Sequence, residues 1–536
     1  MKRPTVAVLV LWLTTALLLG AGAAGARGAP AAEEGVRVGR MRSSVPDQEA
    51  RPEGSPAAQE ADTVPPDTAA TRVGAATPPA QGPPGSAALP QLSPRDRSLD
   101  TPLVLRLRSL LGLILLAVVA WALSVNRGRV PWRVVLWGLA LQLLFGLVIL
   151  KTPVGERVFD GLNDVVVALL GFTVEGARFI FGDLVFNNVP VGSGDVGMGP
   201  FQEAPGTVAR TGAFFAFNVL PTIIFFSSFM TVLYHLGVMQ LLVKGIAWVM
   251  LHTMRTSGAE TLSAAGNIFV GQTEAPLLIK PFVERMTSSE LHAVMTGGFA
   301  TVAGGVLAAY VGMLVAYFPD IAGHLMAASV MSAPAALVVA KLMVPEEGEP
   351  ETAGRLDFEV EKPDVNVIDA AARGASEGLH LALNVGAMLL AFLAMVYLLN
   401  AGIGWAGGLV GVDGLTMEGI LGRILAPVAW LMGVEWRDAV VVGQLMGVKT
   451  VLNEFVAYLQ LSQLLGAGSD LSPRSVIIVT YALSGFANFS SIAIQLGGIG
   501  GIAPSRRHEL SRLGLRAMVA GSLAAFMTAT VAGILV

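Results

Sequence analysis

The sequence predicts an all-α polytopic membrane protein, and three observations carry this prediction. The chain of 536 residues is 53% hydrophobic and only 14% charged, whereas a soluble domain carries about 25% charged residues. Its mean hydropathy is +0.64. Apolar stretches of about 20 residues, long enough to cross a bilayer core, recur from Leu103 to the C-terminus. The hydrophobicity therefore reflects lipid as the solvent.

Charge and cysteine content exclude several classes of function. The net charge is −4 and no basic run is long enough to follow a phosphate backbone, so nucleic acid is not an expected partner. The chain has no cysteine, which excludes disulfides, thiolate metal sites and cysteine nucleophiles.

The N-terminal residues 1–26 read as a secretory signal peptide. Lys2 and Arg3 precede an apolar run from Val6 to Leu19, and small residues follow at Ala21-Gly22-Ala23 and Ala24-Gly25-Ala26. This order of charge, apolar run and small residues is typical of a cleavable signal. The alternative is an uncleaved membrane anchor, and both place the following segment outside the cytoplasm.

Residues 27–100 are predicted to be disordered and residues 101–536 to form the membrane domain. The segment Pro30–Pro94 holds 12 of the 30 prolines of the chain in 65 residues. It cannot bury enough apolar surface to offset the entropy of ordering.

Eight spans are expected in the membrane domain. They are Leu103–Val125, Val134–Leu150, Phe214–Leu236, Leu291–Phe318, Ile321–Met343, Leu381–Leu399, Val476–Gly497 and Ala517–Val536. Arginines in the loops after the first span (Arg127, Arg129, Arg133) and before the last (Arg506, Arg507, Arg512, Arg516) place both loops in the cytoplasm. The long acidic loop after the second span then lies outside, and both termini are extracytoplasmic.

Two further apolar stretches, Gly258–Phe282 and Val440–Leu465, are broken by Gly, Pro and polar residues. The first contains Asn267, Gln272, Thr273 and Glu274, and the second contains Asn453 and Glu454. Each stretch precedes a span that is itself interrupted, at Thr301–Val306 and at Ser484–Ser491. Paired interrupted segments indicate a transporter site at a repeat interface, where freed carbonyls hold a cation and polar side chains bind a solute.

Other interpretations of these residues were weighed. Glu274 and Glu454 could instead be buried ion-pair partners of Lys280 and Lys449. Gly443–Thr450 resembles a phosphate loop but has Val448 in place of the second glycine, and Gly498–Ala503 matches a dinucleotide fingerprint only in its letters. An intramembrane hydrolase with Ser484 as nucleophile would need a histidine base, and none of the six histidines is central in a span.

Three motifs together resemble the concentrative nucleoside transporters, bacterial eight-span type, from about Leu103 to Val536. They are Gly271-Gln-Thr-Glu-Ala-Pro-Leu277, Leu452-Asn-Glu-Phe-Val-Ala-Tyr458 and Gly485-Phe-Ala-Asn-Phe-Ser-Ser491. The resemblance implies a homotrimer in a bacterial plasma membrane. Each protomer would have eight transmembrane helices plus two opposed re-entrant helical hairpins in an inverted repeat, at Gly258–Phe282 and Val440–Leu465.

The resemblance also implies the site residues. The nucleobase would meet Gln272 and Thr273, with Glu274 near through water, and would pack against Val306 and Phe486. The ribose hydroxyls would bond Glu454, Asn488 and Ser491.

A sodium ion would be held by the side chains of Asn267 and Thr301 and the carbonyls of Val270 and Val302, with no other cofactor. The expected function is therefore nucleoside import coupled to sodium and not enzymatic catalysis. A proton carried on Glu274 is the rival coupling ion.

Overall fold

The structure is a computed structural model that describes residues 101–186, 188–193, 202–210, 215–355, 364–409 and 411–536. The predicted signal peptide and the predicted disordered segment lie outside the described residues, and both stay predictions.

The described chain is mostly helical. The first eight α-helices are α1 (Leu103–Ala122), α2 (Trp132–Lys151), α3 (Pro153–Phe181), α4 (Leu220–His235), α5 (Val238–Met254), α6 (Gly258–Gly266), α7 (Lys280–Val283) and α8 (Ser288–Ala300). The others are α9 (Gly304–Leu314), α10 (Ile321–Met343), α11 (Val367–Leu409), α12 (Met417–Met432), α13 (Trp436–Val451), α14 (Glu454–Gly466), α15 (Pro473–Leu483), α16 (Phe489–Ile502) and α17 (Arg507–Leu535).

Shorter elements complete the described chain. Four are 3₁₀ or π turns, at Gly182–Val185, Phe215–Val219, Ala275–Ile279 and Pro504–Arg506. Two strands, β1 (Asn188–Ser193) and β2 (Gln202–Arg210), pair antiparallel between α3 and α4. This ribbon is the one departure from an all-helical chain within the described ranges.

All eight predicted spans fall on helices, which confirms the polytopic all-α fold. Seven of them lie on helical segments that are long and apolar enough to cross a membrane, and one of these seven, Leu291–Phe318, is broken between α8 and α9. The eighth, Val476–Gly497, is divided into the shorter helices α15 and α16, as the polar residues of its middle predicted.

The segment after the second span, predicted from the sequence to be a loop, is a helix. It forms the 29-residue helix α3, extended by a 3₁₀ turn, and Pro153–Val185 passes the same length and hydropathy test as the spans. Two residues mark the N-terminus of α3. Thr152 Oγ1 caps the helix by accepting a hydrogen bond from the Gly155 N–H at 3.0 Å, and Pro153 occupies the first turn. The acidic residues spread along α3 hid this helix from a search for uninterrupted apolar runs.

The two halves of the predicted repeat form the centre of the molecule. Buried residues make up 83% of the apolar window of Ser288–Leu314, 89% of that of α10 and 78% of that of Pro504–Leu535. In α11 the share is 17%. The interrupted helices and the helix that follows each are therefore the core, and α11 contributes mainly surface.

Each predicted hairpin coincides with a pair of helical arms joined by a polar tip. In the first, α6 leads to residues 267–274 and the chain returns through a 3₁₀ turn and α7. Gly266 lets the arms approach, because a Cβ there would lie 2.7 Å from Leu278 Cδ1. In the second, α13 and α14 meet at Leu452–Asn453, where Asn453 Oδ1 caps α14 by accepting from the Val456 N–H at 2.9 Å. Helix α12 also packs against α13, at a bend of 117°.

A buried ion pair fastens the first hairpin to α10. Lys341 Nζ lies 2.7 Å from Glu260 Oε2 and 3.0 Å from Glu346 Oε2, with Lys341 3% and Glu260 1% exposed. Glu260 Oε1 also accepts from the Ser257 N–H at 2.8 Å and so closes the capping box of α6. The start of the hairpin is therefore held by charge as well as by packing.

Lys341→Met is expected to destabilise the protein by about 3–5 kcal/mol, because it leaves the Glu260 carboxylate buried without its cation. Thermal unfolding of the purified protein in detergent measures this. Lys244→Met, the same change at an exposed residue of α5, is the matched control. Equal unfolding temperatures for the two variants would contradict the assignment.

Candidate solute and cation site

The two interrupted helices touch each other at their breaks. One break separates α8 from α9 at residues 301–303, and the other separates α15 from α16 at residues 484–488. Gly485 has φ +154°, and a Cβ there would lie 2.9 Å from the carbonyl oxygens of both Phe299 and Ala300. Only glycine allows this approach. The approach brings the polar residues of both repeats into one buried region.

Glu454 lies at the tip of the second hairpin with its carboxylate bonded on both sides. Its Oε1 accepts from the Tyr310 hydroxyl at 3.0 Å and its Oε2 from Asn488 Nδ2 at 2.9 Å. The residue is 5% exposed. A carboxylate has about four acceptor positions, so each oxygen retains one for a ligand. The carboxylate is thus fixed in direction and still able to accept two more hydrogen bonds.

Asn488 connects this carboxylate to the start of α16. Its Oδ1 accepts from the Ser491 N–H at 2.9 Å and from the Ser490 hydroxyl at 2.7 Å. The same side chain therefore caps α16 and orients Glu454. Asn453 and Asn488 are corresponding caps in the two elements, and both α14 and α16 direct their N-terminal ends into the region.

Gln272 joins the first hairpin to α16. Its Nε2 donates to Ser491 Oγ at 3.2 Å, and its Oε1 accepts from Gln495 Nε2 at 3.0 Å. Thr273 packs on the same helix, because a Cβ at Gly498 would lie 2.8 Å from Thr273 Cγ2. A continuous hydrogen-bonded chain thus runs from the second hairpin through the α15–α16 break to the first hairpin.

The other predicted solute-binding residues divide between two places. Val306, near the start of α9, and Phe486, in the α15–α16 break, are buried in the same hydrophobic cluster. Glu274 is not part of the hydrogen-bonded chain. Its carboxylate accepts from the Gly271 N–H and faces a cavity on the other side of the hairpin.

This cavity of about 430 Å³ lies between the first hairpin, α9, α4 and α11. Glu274, Val270 and Gly304 line its inner part. Arg373 and Glu377 of α11 line it as well, with 40% and 54% of their side chains exposed, so the cavity opens to the surface there. None of Gln272, Glu454, Asn488 and Ser491 lines this cavity, so it is separate from the hydrogen-bonded chain.

Two of the four predicted sodium ligands, Asn267 and Thr301, lie where helices end, Val302 follows Thr301, and Val270 lies in the tip of the first hairpin. Asn267 is the C-terminal cap of α6 and Thr301 that of α8. Helix C-termini carry partial negative charge and attract cations. Both residues adjoin Gly297, since Thr301 Oγ1 donates to the Gly297 carbonyl at 2.9 Å and a Cβ at Gly297 would lie 3.3 Å from Asn267 Nδ2.

One side-chain oxygen of the predicted ligand set lacks a partner among the described residues. Asn267 Nδ2 donates to the Ser263 carbonyl at 3.0 Å, but Asn267 Oδ1 is buried with no hydrogen bond to any described residue. A buried amide oxygen without a partner is costly, and a hard cation that prefers oxygen ligands would satisfy it. The donor set therefore fits sodium.

The ion-pair interpretation of the two glutamates fails within the described part of the chain. Neither Glu274 nor Glu454 forms an ion pair there. Lys449 Nζ instead donates to the Ala482 carbonyl at 2.8 Å, near the C-terminal end of α15. Ser484 Oγ has no hydrogen bond to any described residue, so no histidine is in place to activate it as a nucleophile.

Sequence reasoning missed two residues of the hydrogen-bonded chain, Tyr310 and Gln495. Each lies four positions after a predicted site residue on the same helix: Tyr310 follows Val306 and Gln495 follows Ser491. Residues four apart share a helix face, so this spacing was a usable signal. Both are polar residues in otherwise apolar helices.

Three sequence families match the chain in order. They are described as "Na+ dependent nucleoside transporter N-terminus" over residues 111–184, "Nucleoside recognition" over residues 216–317 and "Na+ dependent nucleoside transporter C-terminus" over residues 324–533.

Individual proteins are similar over most of this chain. "Solute carrier family 28 member 3" of Mus musculus is 43% identical over 437 residues, which are 79% of this chain and 58% of that protein. "Sodium/nucleoside cotransporter 1" of Oryctolagus cuniculus is 42% identical over 80% of this chain and 63% of its own length. The chain thus spans about three-fifths of these mammalian relatives. An "Uncharacterized transporter" of Haemophilus influenzae is 43% identical, with 80% of this chain and 98% of that protein covered.

Solved structures agree in fold. CNTnw "in an inward-facing substrate-bound state" is 41% identical with a TM-score of 0.70, and the match covers 80% of this chain and 98% of that one. An outward-facing variant of CNTnw is 41% identical with a TM-score of 0.72, over 81% and 98% of the two chains.

Proposed function

We propose that this chain, which belongs to the sodium-dependent concentrative nucleoside transporter family, imports nucleosides together with sodium ions. Like its relatives, it is a transporter and not an enzyme. The relatives include sodium/nucleoside cotransporters, and this chain would carry the same class of solute.

The carboxylate of Glu454 is the observation that carries the proposed solute. Tyr310 and Asn488 bond one position on each oxygen and leave one position on each oxygen available. Two neighbouring acceptors match the two adjacent hydroxyl donors of ribose. Gln272 and Thr273, which both contact α16, would meet the base. Val306 and Phe486 would form the apolar contacts of the base.

The proposed ion site shares the hairpin tip with the solute site. Asn267 and Gln272 are five residues apart, and they contact the neighbouring glycines Gly297 and Gly298 of α8. An ion that holds Asn267 against α8 therefore also holds Gln272 in place. Such coupling is reciprocal, so sodium raises nucleoside affinity and nucleoside raises sodium affinity equally.

Contacts between loops support the proposed orientation. Arg133 donates to the Thr253 carbonyl at 3.1 Å, and Asn126 donates to Glu347 at 2.9 Å. The α1–α2 loop therefore lies on the same side as the ends of α5 and α10. Arg506, in the loop before the last span, donates to the Met286 carbonyl at 2.8 Å. Met286 follows the first hairpin, so this loop lies on the side where that hairpin ends. Both basic loops would face the cytoplasm.

At the opposite end, the two ends of the membrane domain meet. The Thr101 hydroxyl donates to the Val536 carbonyl at 2.7 Å, so these two ends lie on one side, which would be extracytoplasmic. Assembly as a homotrimer and location in a bacterial plasma membrane stay predictions from the resemblance.

Uptake of labelled uridine into proteoliposomes tests the proposal. An inward sodium gradient is compared with an equal potassium gradient at fixed pH and clamped voltage. Sodium-dependent accumulation is the expected result. Uptake that ignores sodium but follows a pH gradient would replace the ion by a proton, and no uptake of any nucleoside would refute the proposed solute.

Thr301 allows a test of the ion site that keeps side-chain volume constant. Thr301→Val removes the hydroxyl and is expected to raise the sodium concentration for half-maximal uptake by about tenfold, since an ion–ligand contact worth about 1.4 kcal/mol is lost. Thr301→Ser keeps the hydroxyl and should stay within about twofold of wild type. Equal sodium dependence in the two variants would remove Thr301 from the ligand set.

A further inference from the structure

We propose that Gln495 is a positioning residue that fixes the amide of Gln272 so that Gln272 offers its NH₂ group, a hydrogen-bond donor, to the nucleobase. The inference rests on the proposed role of Gln272 in nucleoside binding. It adds to that role a direction for the hydrogen bond and a residue that sets it.

Gln495 is buried on α16 and makes two hydrogen bonds through one nitrogen. Its Nε2 donates to the Met295 carbonyl of α8 at 3.0 Å and to Gln272 Oε1 at 3.0 Å. The three groups thus form a relay from the backbone of α8 to the tip of the first hairpin.

The polarity of this relay is set by the Met295 carbonyl, which can only accept. It requires the NH₂ group of Gln495, whose second hydrogen then faces Gln272 and requires an acceptor there. Gln272 must therefore turn Oε1 toward Gln495 and Nε2 toward Ser491, at 3.2 Å from the hydroxyl oxygen. Rotating the amide of Gln495 alone would set two acceptors against each other at both contacts, and rotating Gln272 with it would still leave the Met295 carbonyl facing an acceptor.

This orientation of the Gln495 amide leaves its own oxygen without a partner. Gln495 Oε1 is buried and has no hydrogen bond to any described residue. In the reverse orientation, the Met295 carbonyl would face the Gln495 oxygen, and the contact between these two acceptors would be repulsive. Gln495 therefore keeps its NH₂ group directed at the Met295 carbonyl and at Gln272 Oε1.

Gly298 provides the space in which the two amides meet. A Cβ at this position would lie 2.8 Å from Gln272 Cβ and 2.8 Å from Gln495 Nε2. A glycine on α8 thus lets the tip of the hairpin and α16 approach the same turn. Any larger side chain would push the two amides apart.

The relay leaves Gln272 with one free N–H whose direction is fixed, and it turns Oε1, with its remaining lone pair, toward Gln495. A base that presents an acceptor at this place is bonded, whereas a base that presents a donor or a weak acceptor leaves the N–H unbonded. Without Gln495, the Gln272 amide could rotate and satisfy either kind of base. Gln495 therefore controls selectivity more than affinity.

Binding constants for matched pyrimidine nucleosides test the relay. Compared with uridine, 2-thiouridine and 4-thiouridine each weaken one acceptor of the base edge, and cytidine exchanges donor and acceptor at both N3 and C4. Each is titrated at saturating sodium into purified wild-type, Gln495→Met and Gln142→Met protein. Gln142 is the control because it is an equally buried membrane amide that donates to Thr528 at 3.0 Å, outside the relay.

Wild type and Gln142→Met are expected to bind at least one of the three altered nucleosides about three- to tenfold more weakly than uridine, the effect of one hydrogen bond. In Gln495→Met this penalty should fall below about twofold. In Gln272→Met, adding Gln495→Met should change nothing further, because the two residues act as one unit.

A second variant keeps the test decisive if Gln495→Met does not fold. Gly298→Ala should relax selectivity in the same way by displacing the amides, whereas Gly312→Ala, with no atom within 4 Å of its new Cβ, should not. An unchanged penalty in both Gln495→Met and Gly298→Ala would overturn the relay, as would a wild type without any penalty. A wild type that binds no nucleoside would overturn the proposed function itself and the relay with it.

Discussion

Glu454→Gln is expected to lower kcat/KM for uridine uptake by about 100- to 1000-fold while leaving the protein folded. The substitution keeps the size of the side chain and removes its charge and half of its acceptor capacity. Hydrogen bonds to a charged group contribute about 1.5–3 kcal/mol each, and two ribose hydroxyls depend on this carboxylate. The expected loss is the sum of two weakened bonds.

The contacts of Glu454 predict a further difference from an ordinary loss of stability. A glutamine can still accept from Asn488 Nδ2 through its oxygen, but its NH₂ group then faces the Tyr310 hydroxyl, which must turn from donor to acceptor. A ribose hydroxyl on that side loses the charged acceptor to which it donated and must accept from the NH₂ group instead. Ribose recognition is therefore lost while the apolar surroundings of the base, Val306 and Phe486, are unchanged.

Substrates without ribose hydroxyls provide the discriminating measurement. Wild type should transport 2′,3′-dideoxyuridine far less well than uridine, since the missing hydroxyls leave a buried carboxylate under-bonded at about 1–3 kcal/mol each. In Glu454→Gln the two substrates should become nearly equal. Glu349→Gln, an exposed change in the loop after α10, is the control. Near wild-type uridine uptake by folded Glu454→Gln protein would refute the ribose assignment.

Much of this architecture could be predicted because lipid imposes simple requirements. Apolar length located the spans, and the polar interruptions located both hairpins and both broken helices. The same criterion missed α3, whose acidic residues interrupt its apolar sequence although Thr152 and Pro153 mark its start. A search for uninterrupted apolar runs recognises helices that lie fully in lipid and overlooks an amphipathic one.

The candidate site could be predicted only in part. The motifs supplied Gln272, Glu454, Asn488 and Ser491, which the structure joins in one hydrogen-bonded chain. Their orientation depends on groups distant in sequence, such as the Met295 carbonyl, whose role no side-chain pattern reveals. Glu274 belongs to the same motif as Gln272 but faces the cavity, because consecutive residues of an irregular tip point in different directions.

Removing sodium is expected to reduce uridine accumulation in proteoliposomes to the level of liposomes without protein. One sodium ion moving down about 100 mV supplies roughly 2.3 kcal/mol, enough for about fifty-fold accumulation. Replacing sodium by potassium at equal voltage should remove this drive, because no sodium is then present to move inward with the solute. The residual uptake measures any coupling to protons.

Asn267→Leu should weaken sodium-driven uptake most strongly at low sodium concentrations, because it removes the buried Oδ1 that lacks a partner among the described residues. The two helix C-termini remain, so weak binding persists, and we expect the half-saturating sodium concentration to rise at least tenfold, or about 1.4 kcal/mol for one oxygen ligand. Asn163→Leu on α3 is the matched control, since Asn163 Oδ1 is also buried without a described partner but lies outside the ion set. If both variants keep wild-type sodium dependence, the cation binds elsewhere; if only Asn267→Leu loses it, the ends of α6 and α8 hold the coupling ion.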